Sequence, residues 1–253
     1  MVQLTIRRQD GNTIWYETFD VEEKPGMTVL EALFQIQEKQ DGSLCFRYSC
    51  RGAVCGSCAM LINRKPVLAC RTQLSAVKSE VILESEKEEI LLKHSSKDES
   101  KEDVLVEPLP NLRVIRDLIV DMDHFYRLVN SIEPWIHVSE KTGYEENIIE
   151  PSMQIQIEKY TNCILCATCH GNCPAAARDD KYLGPAALAK VWRFCLDPRS
   201  RREDVDKLTS QVNSKEGVWG CDVVYKCVAV CPKKVPPTTA ILKMRENTKS
   251  KSD

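Results

Sequence analysis

The stretch that decides the fold is residues 163–174, which read CILCATCHGNCP. Its four cysteines, Cys163, Cys166, Cys169 and Cys173, are separated by two, two and three residues, and a proline follows the last one. The pattern C-x2-C-x2-C-x3-C-P binds iron–sulfur clusters through its thiolates. Where two such runs occur in one chain, the fourth cysteine of each run binds the cluster of the other. A second run is therefore expected.

The second run begins at Cys221 and ends at Cys231-Pro232, with Val224 in place of the second cysteine. Exchange of the fourth ligands leaves one site with four thiolates and one with three. Valine cannot bind iron, and a cubane that lacks one ligand tends to lose one iron. We therefore predict a 4Fe–4S cluster and a 3Fe–4S cluster. The 4Fe–4S ligands are Cys163, Cys166, Cys169 and Cys231, and the 3Fe–4S ligands are Cys173, Cys221 and Cys227.

A third cysteine group lies near the N-terminus, where residues 49–60 read SCRGAVCGSCAM. The spacing C-x4-C-x2-C, with a fourth cysteine further on, binds a 2Fe–2S cluster in plant-type ferredoxins. The intervening Gly52, Ala53, Gly56 and Ser57 are small enough for backbone N–H groups to approach the sulfurs closely. We predict that the 2Fe–2S ligands are Cys50, Cys55, Cys58 and Cys70.

The sequence around this third group predicts strands and one helix. Residues 2–6 alternate between apolar and polar, and Asp10-Gly11 predicts a hairpin turn into a strand over 13–21. Thr28 and Glu31 form a capping box that opens a helix with Leu30, Leu33 and Phe34 on one face. Further strands are predicted over 60–62, 66–68 and 81–83. A small mixed sheet around one helix resembles the β-grasp fold of plant-type ferredoxins.

The second half of the chain predicts helices. Apolar residues at helical spacing from Ile115 to Phe125 indicate one helix. Gly184-Pro185 opens another that continues through Phe194, and Pro237 opens a third. The predicted class is therefore α+β, a β-grasp domain followed by a helical domain of the bacterial ferredoxin type. The predicted domains are 1–105, with a charged connector over 85–103, and 106–253.

The other cysteines and a neighbouring histidine are predicted to be minor. Cys45 and Cys195 fit neither spacing and are interpreted as small buried side chains. His170 follows Cys169 and is expected either to lie in solvent or to donate a hydrogen bond to a cluster. Disulfides fit poorly with thirteen cysteines, an odd number, in a chain without a secretory signal. Zinc is the remaining alternative for the CxxC pairs.

Composition and the absence of certain motifs exclude further classes of function. Lys plus Arg (35) nearly balances Asp plus Glu (37), so no basic surface for nucleic acid is expected. The sequence has no apolar run of about 18 residues, and it has neither a GxGxxG nor a P-loop motif. Clusters without a nucleotide, flavin or substrate motif indicate a chain that moves electrons for the chemistry of another protein.

The order of the motifs resembles the iron–sulfur subunit of succinate dehydrogenase and fumarate reductase. The resemblance covers nearly the whole chain and includes residues 106–111 (VEPLPN), 114–118 (VIRDL) and 231–233 (CPK) beside the cysteines. It implies a flavoprotein subunit with covalently bound FAD, which interconverts succinate and fumarate and contacts the N-terminal domain. It also implies one or more membrane anchor subunits with a quinone, which contact the C-terminal domain.

In this family electrons pass between the flavin, the 2Fe–2S, the 4Fe–4S and the 3Fe–4S cluster in that order. The resemblance therefore implies a peripheral subunit on the cytoplasmic face of the cell membrane, without a transmembrane segment of its own. Relatives often have a tryptophan and a histidine near the quinone at the positions of Arg178 and Asp222. We predict these two as quinone-site neighbours, with a simple surface ion pair as the alternative. A subunit that serves another flavoprotein, such as a glycolate-type dehydrogenase, remains a second hypothesis.

Overall fold

The computed structural model describes residues 1–78, 103–136 and 148–249. The predicted strand over 81–83 lies outside these residues, as does the connector up to residue 102. The chain forms two compact units, the first ending at Asp121 and the second beginning at Met122. Within the described residues, strands dominate the first unit and the second is helical. The predicted α+β class is therefore confirmed.

The first unit is built on one mixed sheet, which has seven strands within the described residues. The strands are β1 Val2–Asp10, β2 Thr13–Val21, β3 Ala59–Ile62, β4 Lys65–Leu68, β5 Asp103–Glu107, β6 Val114–Arg116 and β7 Ile119–Val120. The strand order is β4-β3-β5-β1-β6-β7, and β2 also pairs with β1. β1 runs parallel to β5 and antiparallel to β2.

Two tight hairpins join neighbouring strands of the sheet. Asp10 pairs with Thr13 across β1 and β2, and Gly11 in the turn between them has a φ of 55°. The turn between β3 and β4 consists of Asn63 and Arg64, with φ of 45° and 62°. Two central residues with positive φ match the right-handed twist of the strands that they join. The hairpin turn predicted at Asp10-Gly11 is confirmed.

Helix α1 (Val29–Lys39) begins at the predicted capping box. The Thr28 amide donates to Oε2 of Glu31 at 2.7 Å, and the Glu31 amide donates to Oγ1 of Thr28 at 3.3 Å. The helix buries Leu30, Leu33 and Ile36, at the spacing of one helical face. Further along, the short helix α2 covers Leu74–Val77. A helix packed beside a sheet with parallel β1 and β5 is the predicted β-grasp arrangement.

The first unit extends beyond the predicted boundary at residue 105. That boundary falls inside β5, which pairs with both β1 and β3 and is therefore central to the sheet. The predicted helix from Ile115 to Phe125 is also wrong over its first half, because β6 and β7 occupy this part of the chain. Asp117 turns the chain between them with a φ of 46°.

A buried polar network explains this turn. The Asp117 side chain is 1% exposed and accepts from the Gln9 amide at 3.1 Å and the Cys45 amide at 2.9 Å. It also accepts from Nε of Arg8 at 3.0 Å, and Arg8 itself pairs with Glu17. These partners lie far from Asp117 in sequence, so a local apolar pattern cannot reveal the turn.

The second unit is helical. Its helices are α3 Asp123–Asn130, α4 Pro151–Thr161, α5 Thr168–Gly171, α6 Pro174–Arg178, α7 Gly184–Leu196, α8 Arg202–Val212, α9 Lys226–Ala229 and α10 Pro237–Lys249, with a 3₁₀ turn over Val218–Gly220. α7 lies at the centre and packs against α3, α4, α5, α8 and α10. The predicted helix starts at Gly184-Pro185 and Pro237 are confirmed. No helix in the described part of the chain has the length and apolarity needed to cross a membrane.

Candidate metal centres

The N-terminal cysteines lie on one loop, with the fourth placed after β4. Cys50 and Cys55 are exposed, Cys58 is buried and Cys70 is partly buried. Backbone amides point at the first sulfur, as Val54 and Cys55 donate to Sγ of Cys50 at 3.2 Å and Gly52 donates to it at 3.4 Å. A sulfur that accepts several amides suits a thiolate or a cluster ligand, because these donors stabilise negative charge.

The loop reaches this geometry through left-handed backbone. Arg51 and Ala53 both have a φ of 55°, and Gly56 has a φ of 75°. Non-glycine residues rarely adopt such angles, which cost free energy and cluster at functional sites. Gly52 is not among the left-handed residues, and its part is instead to donate its amide to Cys50. Sequence reasoning singled out the small residues but not the conformation of Arg51.

Burial and hydrogen bonds give two thiols of this loop opposite character. Burial raises the pKa of Cys55, but hydrogen bonds from Ser57 and from the Cys50 amide outweigh it, and the pKa falls to about 6. Burial raises the pKa of Cys58 to about 12, and the neighbouring Cys70 side chain adds to the increase. A thiolate at Cys58 therefore requires a positive charge beside it, which a bound metal supplies.

Cys45 stands apart from this set. Its side chain is only partly buried, so the predicted small buried side chain is not what the structure shows. Its sulfur lies 3.3 Å from the Ser43 carbonyl oxygen, and its amide donates to Asp117. Cys195, on α7, is likewise only partly buried.

The second unit brings distant cysteines together in one pocket. Cys231, from the later run, lines a solvent-open pocket of about 380 Å³ with three cysteines of the earlier run. Those three are Cys163, Cys166 and Cys169. The walls come from α7 and the start of α10. Burial raises the pKa of Cys169 well above its ordinary value. Four thiols around one pocket fit a metal cluster, which stabilises the thiolate form.

The complementary set lines a second pocket of about 280 Å³. Cys173, from the earlier run, lies there with Cys221 and Cys227 of the later run. Val224 lines the same pocket and is 50% exposed. Because this residue is a valine, it offers no fourth thiol to the pocket. Burial raises the pKa of Cys227, although a hydrogen bond with Thr238 opposes the increase. Oγ1 of Thr238 lies 3.1 Å from Sγ of Cys227.

The two runs share a backbone conformation as well as a spacing. In the first run, Leu165 and Ala167 have φ of 53° and 61°. In the second run, Val223 and Tyr225 occupy the same offsets from the first cysteine, with φ of 57° and 58°. Each second left-handed residue precedes a four-residue helix, α5 or α9. The two loops are therefore equivalent folds, and Val224 sits where Cys166 sits in the first.

Within the described residues, no three His, Cys, Asp or Glu side chains are arranged to hold a single metal ion. The cysteine groups above are defined by the loops and pockets that they share. A cluster of several irons distributes its thiolate ligands over different iron atoms.

The two predicted quinone-site neighbours form an ion pair. Nη1 and Nη2 of Arg178 donate to the Asp222 carboxylate at 3.2 Å and 2.9 Å. The Arg178 side chain is 62% exposed, and Asp222 lines the pocket of Cys173. The hydrogen bonds from Arg178 lower the pKa of Asp222. The surface ion pair weighed as an alternative is thus present, beside the second pocket.

His170 is buried, at 3% exposure, which excludes the solvent position considered for it. Its ring packs edge-on against Phe125, with the ring centroids 5.6 Å apart. Sequence reasoning missed two side chains that line the second pocket, Tyr182 and Thr238. No spacing rule points to either of them, because they lie outside both cysteine runs.

Comparisons with known proteins agree with this architecture. The model of a 2Fe-2S iron-sulfur cluster binding domain matches residues 3–127, and the model of a 4Fe-4S dicluster domain matches residues 159–235. The class is thus an iron–sulfur protein with two cluster-binding domains.

Relatives narrow the class to one family. The fumarate reductase iron-sulfur subunit of Haemophilus influenzae is 35% identical over 88% of this chain and 82% of its own length. That of Escherichia coli O6:H1 is 34% identical over 85% of this chain and 78% of its own length. The chain belongs to the family of iron–sulfur subunits of fumarate reductase and succinate dehydrogenase.

A solved structure shares the fold. A chain of the Mycobacterium smegmatis Sdh1 complex in the apo form matches 100% of this chain, and 97% of its own length is covered. The TM-score is 0.83 and the identity is 22%. The resemblance drawn from the order of the cysteine motifs is therefore confirmed at the level of the family and the fold.

Proposed function

We propose that this chain carries electrons between the FAD of a flavoprotein subunit and a quinone in the membrane. Its 2Fe–2S cluster is held by Cys50, Cys55, Cys58 and Cys70. Its 4Fe–4S cluster is held by Cys163, Cys166, Cys169 and Cys231, and its 3Fe–4S cluster by Cys173, Cys221 and Cys227. The observation that carries the proposal is the exchange of fourth cysteines between the two pockets of the second unit.

The clusters and the protein groups around them contribute to this electron transfer in different ways. The clusters supply one-electron carriers when they are bound. The thiolates ligate iron, and the amides of residues 52, 54 and 55 donate to Cys50 and stabilise its negative charge. Cys173 and Cys227 are buried, and the other cysteines of these two sets are partly buried. Burial and hydrogen bonds to sulfur are among the factors that set the reduction potential of a cluster, so differences between the sites can give different potentials.

The partners follow from the family. Relatives are named subunits of fumarate reductase, an enzyme whose chemistry requires a substrate site that this sequence lacks. We assign that site to the flavoprotein, and we assign the quinone to one or more anchor subunits. The chain then lies at the cytoplasmic face of the membrane as a peripheral subunit. Its first unit contacts the flavoprotein and its second unit contacts the anchor.

The test is to purify the native complex from membranes and to reduce it with succinate. Succinate is expected to reduce the clusters, and a quinone analogue is expected to reoxidise them, as followed by electron paramagnetic resonance. Reduction by glycolate but not by succinate or a quinol would instead support the second hypothesis, a subunit of another flavoprotein dehydrogenase. Zinc in place of iron would contradict both.

We further propose that Arg178 and Asp222 border the quinone site. They form a bidentate pair at the pocket of Cys173, and the exposed guanidinium retains further N–H donors. Arg178→Leu is expected to lower quinone-linked turnover and to leave succinate oxidation with an artificial acceptor intact. Arg202→Leu, a change of another exposed arginine on α8, is the matched control. Equal loss of both activities, or loss of neither, would contradict this role.

A further inference from the structure

Tyr182 is one of the largest fully buried side chains of the protein, at 1% exposure. It lies between α6 and α7, close in sequence to neither end of the second cysteine run. Backbone hydrogen bonds fix the segment on both sides, since the Tyr182 amide donates to the Asp179 carbonyl at 3.3 Å. The following amide, of Leu183, donates to the Glu216 carbonyl at 2.8 Å.

The tyrosine ring packs against Gly220, at a distance that leaves no room for a side chain on that residue. A Cβ atom on Gly220 would come within 2.8 Å of Cδ2 of the ring and 3.2 Å of Cε2. The ring therefore lies directly on the backbone that leads into Cys221. Arg245 holds that backbone, because its guanidinium donates to the Val218 carbonyl at 2.6 Å and to the Cys221 carbonyl at 2.7 Å. The Tyr182 ring and the backbone at Cys221 are therefore held in fixed positions next to each other.

The hydroxyl of this ring is buried without a hydrogen bond of normal geometry to any described atom. Tyr182 lines the pocket together with Cys173, Cys221 and Cys227. At the same pocket, Sγ of Cys221 accepts a hydrogen bond from the Val223 amide at 3.4 Å. A buried polar group without a partner is uncommon in native proteins and needs an explanation, such as a bound group that accepts its hydrogen bond.

The sulfurs of Cys221, Cys173 and Cys227 all lie close enough to interact with the Tyr182 hydroxyl. A tyrosine hydroxyl can donate a hydrogen bond, and sulfur can accept one.

We propose that the Tyr182 hydroxyl donates a hydrogen bond to a sulfur of the cluster held by Cys173, Cys221 and Cys227, and that it raises the reduction potential of that cluster. A hydrogen bond to sulfur stabilises the reduced, more negative state of a cluster more than the oxidised state. Tyr182 is thus a tuning residue at the end of the electron path, and this role rests on the proposed function above.

The test is Tyr182→Phe in the native complex, with the potential of each cluster measured by redox titration and electron paramagnetic resonance. The equilibrium constant for reduction of the 3Fe–4S cluster is expected to fall about threefold to tenfold, where tenfold is about 59 mV for one electron. Exchange into D₂O followed by pulsed resonance is expected to show one coupled deuteron fewer than in the wild type. The potentials of the other two clusters are expected to stay unchanged.

Tyr160→Phe is the matched control. It removes the hydroxyl of another buried tyrosine, which packs among residues that contact Cys163 and Cys231. It is expected to leave the 3Fe–4S potential where it is. An unchanged potential in Tyr182→Phe, an unchanged deuteron coupling, or loss of the third cluster itself would overturn the tuning role. Absence of any 3Fe–4S signal in the wild type would instead overturn the cluster assignment, so the two failures are distinguishable.

Discussion

The N-terminal cysteine loop and the paired pockets of the second unit bring their cysteines together in two different ways. In the loop, three of four cysteines lie within residues 50–58, and backbone amides of the same stretch donate to the first sulfur. In the pockets, each set draws one cysteine from the other run, 48 residues away between Cys173 and Cys221 and 62 residues away between Cys169 and Cys231. The first is a local site, and the second pair is a product of tertiary folding.

This difference determines how far the effect of a substitution travels. In the loop, each proposed ligand and its supporting amides are neighbours in the chain, so we expect damage to stay with one cluster. In the second unit, we expect a change in one run to act on the cluster proposed for the other run. The shared backbone of the two runs, with left-handed residues at the same offsets, makes that exchange testable.

The largest effect is expected from Cys231→Ala. Although Cys231 lies in the later run, the signal of the 4Fe–4S cluster is expected to disappear while the 3Fe–4S signal remains. The reason is that Cys231 lines the pocket of Cys163. Cys195→Ala, which removes a thiol outside both pockets, should change neither signal in electron paramagnetic resonance. Loss of the 3Fe–4S signal with an intact 4Fe–4S cluster would show that the ligands are not exchanged.

Val224→Cys sharpens the comparison between the two runs. The new thiol would stand at the position of Cys166 in an equivalent backbone, beside a pocket that Val224 already lines. A fourth iron is expected to bind, so the oxidised 3Fe–4S signal should fall and a reduced 4Fe–4S signal should grow. Serine is similar in size to cysteine but is a poor iron ligand, so the site in Val224→Ser should keep three irons. An unchanged oxidised signal in the cysteine variant would refute the explanation based on Val224.

Asp117→Ala tests whether the buried network around Asp117 stabilises the N-terminal cysteine loop. The carboxylate accepts from Arg8 and from the Cys45 amide, and its side chain is 1% exposed. Its removal leaves a buried guanidinium with fewer carboxylates and should lower the free energy of unfolding of the first unit by about 3 kcal/mol. Denaturation followed by the visible absorption of the 2Fe–2S cluster measures this.

The control for Asp117 is Arg113→Gln, which breaks an exposed pair with Asp121. The Arg113 side chain is 77% exposed, and its loss should change the same free energy by less than about 0.5 kcal/mol. Equal effects of the two substitutions would mean that the buried network does not support the loop.

The smallest effect is expected from Thr28→Ala, which removes the capping box of α1. In the first turn of α1, the Leu30 amide also donates to the Ala69 carbonyl, next to the proposed ligand Cys70. A lost cap lowers stability by about 1 kcal/mol. Thermal unfolding of the first unit should detect it, whereas Glu38→Ala at an exposed site of the same helix should have a smaller effect. A loss no greater than that of Glu38→Ala would mean that the cap is redundant.

The elements that sequence predicted correctly are governed by neighbouring residues. The turn at Gly11, the capping box at Thr28 and the helix start at Pro237 each depend on residues within one turn of chain. The helix predicted from Ile115 was wrong because Asp117 accepts hydrogen bonds from Arg8 and Gln9 on the distant strand β1. Local periodicity contains no record of such partners.

The same distinction applies to the candidate sites. Cysteine spacing predicted which thiols share a pocket, because the run itself encodes the loop. It could not reveal Tyr182, whose place beside Cys221 depends on Gly220 and on a segment between two helices. It also left open whether Arg178 meets Asp222, a contact across 44 positions of sequence.

We expect three cluster sites in this chain, with four, four and three cysteine ligands. The iron and acid-labile sulfide content of the anaerobically purified native complex counts these clusters. We predict about nine irons and about ten sulfides per chain, from one 2Fe–2S, one 4Fe–4S and one 3Fe–4S cluster. Near-stoichiometric zinc, or iron well below about eight per chain, would contradict the claim.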